Sequence, residues 1–297
     1  MHHIPVLLEE SLDLLLNDLS GNYLDLTFGR GSHSKSILNK LSSSAKLYAV
    51  DRDPEAFYFG KKEISDIRFN IFHENYSKIN KLFLNIKFHG ILFDLGTCST
   101  HLDNPSRGFS FQHNGPLDMR MDTTQGISAA EWINTADEID ISTILYKFGE
   151  EKASRKIAHA IVNTRIKNSI KTTKDLVKIV ESVLTRTGKI HPATKTFQAI
   201  RIHINNELEH LTVALEQASN LLHQNGVIVV ISFHSLEDRV VKNFFKPNVQ
   251  TLPKDIPVNN LVTEKFKCIG KKIRPSKDEI NSNPRSRSAI MRAYAKI

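Results

Sequence analysis

The stretch Asp25-Leu-Thr-Phe-Gly29-Arg-Gly31 puts a carboxylate at the end of an apolar run and two glycines where a chain must bend closely around a ligand. The spacing stops short of a dinucleotide GxGxxG pattern, because Ser34 stands three residues after Gly31. The turn therefore fits a nucleoside cofactor without a pyrophosphate better than NAD. Asp51 ends a second apolar run, roughly 20 residues further on, where a carboxylate accepts hydrogen bonds from both ribose hydroxyls. Tyr76 follows a third run and suits either an adenine ring or a half-buried core position. Asp94 ends the fourth run, GILFDLG, where a carboxylate needs a polar partner. Any one of these is common as a turn or a helix cap; the series in order is what points to a ligand site.

Groups at strand ends imply a sheet that carries them. Short apolar runs at 22–28, 46–53, 68–76 and 88–96 alternate with segments of helical length, the first such helix expected from about Ser34 to Leu41. This is the pattern of a parallel sheet with crossover helices. From Thr97 to about Ile204 the rhythm becomes helical, with a capping-box spacing at Ser128 to Glu131 and an apolar stripe Ile141, Ile144, Leu145, Phe148 ended by Gly149. Leu208, Leu211, Leu215, Ala218 and Leu222 keep one helical face before GVIVVI (226–231) resumes the sheet. Residues 247–287 read as loops, and AIMRAYAKI (289–297) as a possible edge strand. The expected fold is a Rossmann-like α/β parallel sheet with an inserted helical domain, divided at 1–103, 104–206 and 207–297.

The chain has 297 residues, 40% of them hydrophobic and 24% charged, which excludes disordered and low-complexity classes. No stretch approaches the roughly 20 apolar residues of a membrane span, and no leader pattern precedes the first apolar run, so a cytoplasmic location is expected. Cys98 and Cys268 are too far apart and too few for a disulfide framework or a zinc ribbon. His2, His3, His191, His203 and His210 form no recognisable ligand set, and no metal is expected. The net charge of +8 concentrates in 152–201 and 265–296, which favours a polyanionic partner.

Ten segments carry a resemblance: HIPVLLEE, DLTFGRGSHS, AVDRDP, FDLGTCSTHLD, RGFSF, GPLDMRMD, YKFGEEKASRKIA, HPATKTFQAIRIHINNEL, ISFHSLEDR and NPRSRSAIMRA. Together, and in this order along nearly the whole chain, they closely resemble the bacterial 16S rRNA cytosine N(4)-methyltransferases of the MraW type. The resemblance implies a class I methyltransferase domain interrupted by a helical substrate domain, S-adenosylmethionine as cofactor, and a decoding-centre cytidine of 16S ribosomal RNA as target, taken within the small ribosomal subunit. It places cofactor contacts on Gly31, Ser32, His33, Asp51, Tyr76, Asp94 and His101, to which the glycine turn itself adds Gly29. Ser32 stands where the family usually has glycine, and His101 where it usually has glutamine. Histidine titrates near neutral pH and lacks the paired donor and acceptor of an amide.

The exocyclic amine of cytosine is a poor nucleophile, so such an enzyme must orient it and accept a proton; the sulfonium is already an activated leaving group, and no covalent intermediate is required. The candidate proton acceptors are Asp94 and His234 of the loop Ser232-Phe-His234-Ser235, with loop-holding the competing role for His234. The basic insert and Arg285-Ser-Arg287 suit phosphates, and Phe109, Phe111 or Trp132 offers a face for an unstacked base, each also a reasonable core residue. Two other classes stay open on sequence: a small-molecule methyltransferase, and a non-catalytic RNA-binding ribosome assembly factor.

Overall fold

The computed structural model describes residues 4–185, 191–250, 261–263 and 265–297. The chain forms two compact units, residues 1–96 with 208–297, and residues 97–207. His2, His3, Arg186 and Lys189 lie outside the described residues.

The first unit is built on strands β1 (Asn22–Asp25), β2 (Lys46–Asp51), β3 (Phe69–His73), β4 (Phe88–Asp94) and β5 (Leu222–Ser232), all parallel to one another. A small antiparallel pair, β6 (Asn248–Gln250) and β7 (Leu261–Thr263), stands apart from the sheet formed with β8 (Phe266–Cys268) and β9 (Ile290–Lys296). The seven-stranded order is β3-β2-β1-β4-β5-β9-β8, with β9 antiparallel to both of its neighbours. This is a Rossmann-like sheet whose order turns outward from β1 and β4, the point where open α/β sheets bind ligands beyond the carboxyl ends of their strands. The helices α1 (Leu8–Leu15), α2 (Ser32–Lys40) and α3 (Pro54–Glu63) precede or follow the first strands.

The central strands β4 and β5 carry buried apolar runs, Gly90–Phe93 and Val227–Ile231, because both faces are covered there. Successive residues alternate sides, so Phe93 and Val230 pack with Phe83, Phe88, Leu211 and Leu215, while Leu92 and Val229 pack with Leu12, Ile37, Leu47 and Met291. Two expectations need correction. The closing strand is not at the edge: β9 lies between β5 and β8, because Phe266–Cys268, within a stretch read as loops, pairs along its outer side. Leu222 continues the apolar face of the helix Glu207–Leu221 in sequence but belongs to β5, where it pairs with Phe88.

The second unit is helical, with helices Ala129–Thr135, Glu138–Gly149, Ser154–Lys167, Thr173–Val183 and Thr194–Asn205 around Ile133, Ile141, Leu145, Ile161, Leu176 and Ile200. Ser128 and Glu131 make the expected capping box, and Thr172 with Asp175 makes a second. Gly149 is the last helical residue rather than the stop, since Glu150 takes the left-handed conformation. The motif Asp118-Met-Arg120 contains a strained residue: buried Met119 has φ 61°. Neighbours over-determine it. Asn205 donates from Nδ2 to the Met119 carbonyl at 2.7 Å and accepts the Met121 N–H at Oδ1 at 2.8 Å. Arg120 grips Asp118 through both carboxylate oxygens at 2.8 Å. Asn205→Ala leaves a buried carbonyl and a buried amide unpaired, and is expected to lower stability by about 2 to 4 kcal/mol in urea unfolding.

Candidate active site

The site residues of the first unit converge because the ends of β1, β2 and β4 are adjacent in register. Asp25, at the end of β1, is fully buried; its Oδ1 accepts the Thr27 N–H at 3.1 Å and its Oδ2 accepts the Ser34 hydroxyl at 2.6 Å. The Thr27 hydroxyl oxygen accepts the Asp94 N–H at 2.7 Å, which ties the first turn to the end of β4. Asp51 accepts the Gly29 N–H at 2.7 Å on Oδ2 and the Asp53 N–H at 2.8 Å on Oδ1, which fixes the glycine turn against the end of β2. Gly31 caps α2 at φ 70°, and a Cβ there would stand 2.6 Å from the Phe28 ring, so both conformation and space require glycine. Ser32 is the first residue of α2, two positions earlier than expected, and His33 the second.

Buried His33 has Nε2 3.3 Å from the Val6 carbonyl and Nδ1 3.6 Å from Asp94 Oδ2. Asp94 Oδ1 is buried with no hydrogen-bond partner, a polar atom left for something that binds there. Desolvation, reinforced by Asp25 and Glu237, pushes the Asp94 carboxyl well above the usual carboxylate range. Desolvation also pushes Asp25 up to about 6, partly opposed by its bonds from Ser34 and Thr27. Tyr76 opens a 3₁₀ turn after β3 and meets Phe93 edge-on at 6.3 Å, half-buried against the core.

His234 is the N-cap of the helix Ser235–Phe244. Its Nδ1 accepts the Glu237 N–H at 3.3 Å, while Glu237 Oε2 accepts the Phe233 N–H at 2.7 Å and the His234 N–H at 3.3 Å. In the neutral ring the proton then sits on Nε2, which lies 3.2 Å from Glu237 Oε1. The nitrogen able to accept a proton is thus committed to the helix cap, the loop-holding alternative of the sequence reading. Thr27, Ser34 and Glu237 were not among the expected site residues, and Asp25 was read as the carboxylate that opens the glycine turn without a cofactor contact being placed on it. Signals existed for two of them: Asp-x-Thr has the spacing of a side chain accepting a backbone N–H two residues on, and His-x-x-Glu is a capping box with histidine in place of serine.

His101 belongs to the other unit, where it is buried and stacks on Phe109 at 4.8 Å and 19°. The proposed base-stacking faces are largely occupied. Phe109 and Trp132 are core residues of the helical unit, and Phe111 stacks on His191 at 4.6 Å. Arg201 forms a two-pronged ion pair with Glu207, at 2.9 and 3.0 Å, instead of standing open to phosphates. Lys152, Arg155, Lys156, Lys167, Lys171, Lys174, Lys178 and Lys195 are exposed, as are Arg285 and Arg287 of the first unit.

A raised carboxyl pKa means that the folded state binds the Asp25 proton more tightly than the unfolded chain does. The cost is absent below the unfolded value of 3.8, develops as pH rises to about 6, and is complete above it. Asp25→Asn is therefore expected to match the wild type near pH 4 and to exceed its stability by about 3 kcal/mol at pH 7, two pKa units of linkage, read from denaturant unfolding across that range.

A sequence profile of the MraW methylase family matches residues 1–297. The ribosomal RNA small subunit methyltransferase H of Nitrosomonas europaea is 47% identical over 309 residues, covering 99% of this chain and 97% of that protein. Its counterpart in Idiomarina loihiensis is 47% identical over 305 residues, with 99% and 97% covered. That of Ehrlichia ruminantium is 47% identical over 306 residues, with 100% of each chain covered. Identity spread over the full length of each partner, together with a family profile that spans the whole chain, makes this chain a member of the MraW methylase family and an S-adenosylmethionine-dependent methyltransferase.

Proposed function

We propose that the protein methylates the exocyclic N(4) amine of a decoding-centre cytidine in 16S ribosomal RNA, within the small ribosomal subunit. The observation that carries the chemical part is the buried, unpartnered Oδ1 of Asp94 at the carboxyl end of β4. Relatives named ribosomal RNA small subunit methyltransferase H support the RNA part. The residues fit the cofactor. Gly29, Gly31, Ser32 and His33 line the first turn, the Asp51 carboxylate at the end of β2 suits ribose hydroxyls, and Tyr76 stands at the turn after β3. Bound there, S-adenosylmethionine supplies an activated methyl group.

Asp94 accepts the proton that the amine loses, since it combines raised basicity with an open oxygen. His234 holds the loop after β5 through its cap. The exposed cations of residues 152–195 bind phosphates, and residues 97–207 act as the substrate domain. Among the described residues no helix is long and apolar enough to cross a membrane, in keeping with a cytoplasmic ribosomal substrate.

Labelled methyl transfer to small subunits lacking the modification, followed by mass spectrometry of the nucleosides, is expected to place label on cytosine N(4) and to drop about 100-fold or more in Asp94→Asn. Label on another base would displace the target assignment. The triple variant Lys152→Ala, Arg155→Ala, Lys156→Ala is expected to weaken RNA binding evenly across sequences and to flatten its salt dependence by about one slope unit for each phosphate no longer neutralised, measured by filter binding at several salt concentrations.

A further inference from the structure

The pair formed by His33 and Asp94 has a geometry that cofactor contact alone does not call for. A carbonyl oxygen only accepts hydrogen bonds, so the 3.3 Å approach of His33 Nε2 to the Val6 carbonyl puts the proton of the neutral ring on Nε2. The lone pair is then on Nδ1, and Nδ1 faces Asp94 Oδ2 at 3.6 Å. The Asp94 carboxyl therefore has two different ends: Oδ2 toward a base, and Oδ1, buried and without a hydrogen-bond partner. Its backbone is fixed by the hydrogen bond that its N–H donates to the Thr27 hydroxyl oxygen, and His33 is held at the start of α2 by the same turn. The charged groups facing Asp94 are His33 from α2, Asp25 from β1 and Glu237 from the helix Ser235–Phe244. With two carboxylates nearby, a carboxyl that has taken a proton holds it tightly, and a neighbouring base is what discharges it.

We propose that His33 and Asp94 work as one proton-accepting pair, with His33 a positioning residue that acts through Asp94 and takes over the proton released by the methylated amine. The proposal rests on the reading that Asp94 faces the reacting amine. In the step, an N–H bond of the methylated amine breaks and its electron pair stays on nitrogen, while an O–H bond forms on Asp94. A half-turn of the carboxyl about its Cβ–Cγ bond, a soft two-fold torsion, brings that proton to His33 Nδ1. The pair is left as carboxylate beside imidazolium, with charge and atoms balanced. The ring never releases its Nε2–H from Val6, so the N-terminal segment sets the direction in which the proton leaves.

Two measurements on the full chain test this. The first is the pH profile of the single-turnover methyl-transfer rate at saturating S-adenosylmethionine for wild type, His33→Gln and Asp94→Asn. The second is the side-chain 15N shift of His33 Nδ1 against pH, without cofactor, in wild type and Asp94→Asn. A pair that shares one proton has a higher proton affinity than either member alone. In His33→Gln the rate is therefore expected to fall about 10- to 100-fold, with its acid limb moved to lower pH. In Asp94→Asn the His33 Nδ1 titration is expected to move down by about one unit or more. An acid limb that stays in place, or that moves up as loss of a fixed cation would require, overturns the proposal. So does an Nδ1 titration indifferent to Asp94→Asn. The underlying reading fails separately: if Asp94→Asn transfers methyl at the wild-type rate, Asp94 is not the acceptor, and the coupled 15N titration then reports a pair without a catalytic role.

Discussion

The structure depends on burying carboxylates at the ends of apolar strands. Asp25 and Asp94 end the adjacent strands β1 and β4, and desolvation raises the proton affinity of both. An arrangement this unfavourable persists only where neighbours supply donors. Asp25 is satisfied locally by Ser34 and the Thr27 amide. The Thr27 hydroxyl then fixes the Asp94 backbone, and Asp51 fixes the Gly29 amide. One oxygen, Asp94 Oδ1, is left out of this network. It lies at the carboxyl edge of β4, where the sheet order turns outward and open α/β sheets take their ligands.

The local backbone follows from that constraint. Gly31 must take φ 70° and must lack a Cβ, because Phe28 packs directly over it and α2 must begin there to bring His33 and Ser34 inward. On the other side of β4, Glu237 gathers the Phe233 and His234 amides, so the loop after β5 is held by a carboxylate that also contributes to the electrostatics at Asp94. The same side chain thus serves the helix cap and the site.

The helical unit uses a different device. Met119 is held in a left-handed conformation by Asn205 and by the Arg107 carbonyl, which accepts its N–H at 3.0 Å. The strain is sustained because the residue sits in a buried core, with Asp118 and Arg120 paired beside it. Its outer helices leave many lysines exposed while Arg165 turns inward to the carbonyls of Ile133 and Ala136 at 2.8 and 2.6 Å. Surface charge and internal anchoring are therefore divided among residues that look alike in composition.

By itself the sequence determined the alternation of buried strands and helices, the glycine turn, and the carboxylates at the ends of β1, β2 and β4, because apolar periodicity and turn chemistry are local properties. It also determined the family, since ten ordered segments specify it. Other features were decided only by the tertiary structure. Whether AIMRAYAKI forms an edge depends on whether Phe266–Cys268 pairs with it, and no local pattern records that. That His234 Nδ1 caps a helix depends on which amide reaches it. Arg201 and Lys152 are equivalent as charges in a sequence; one is matched to Glu207 and the other faces solvent. Partnership across the fold sets desolvation, and desolvation sets which acid, base or cation is available for chemistry.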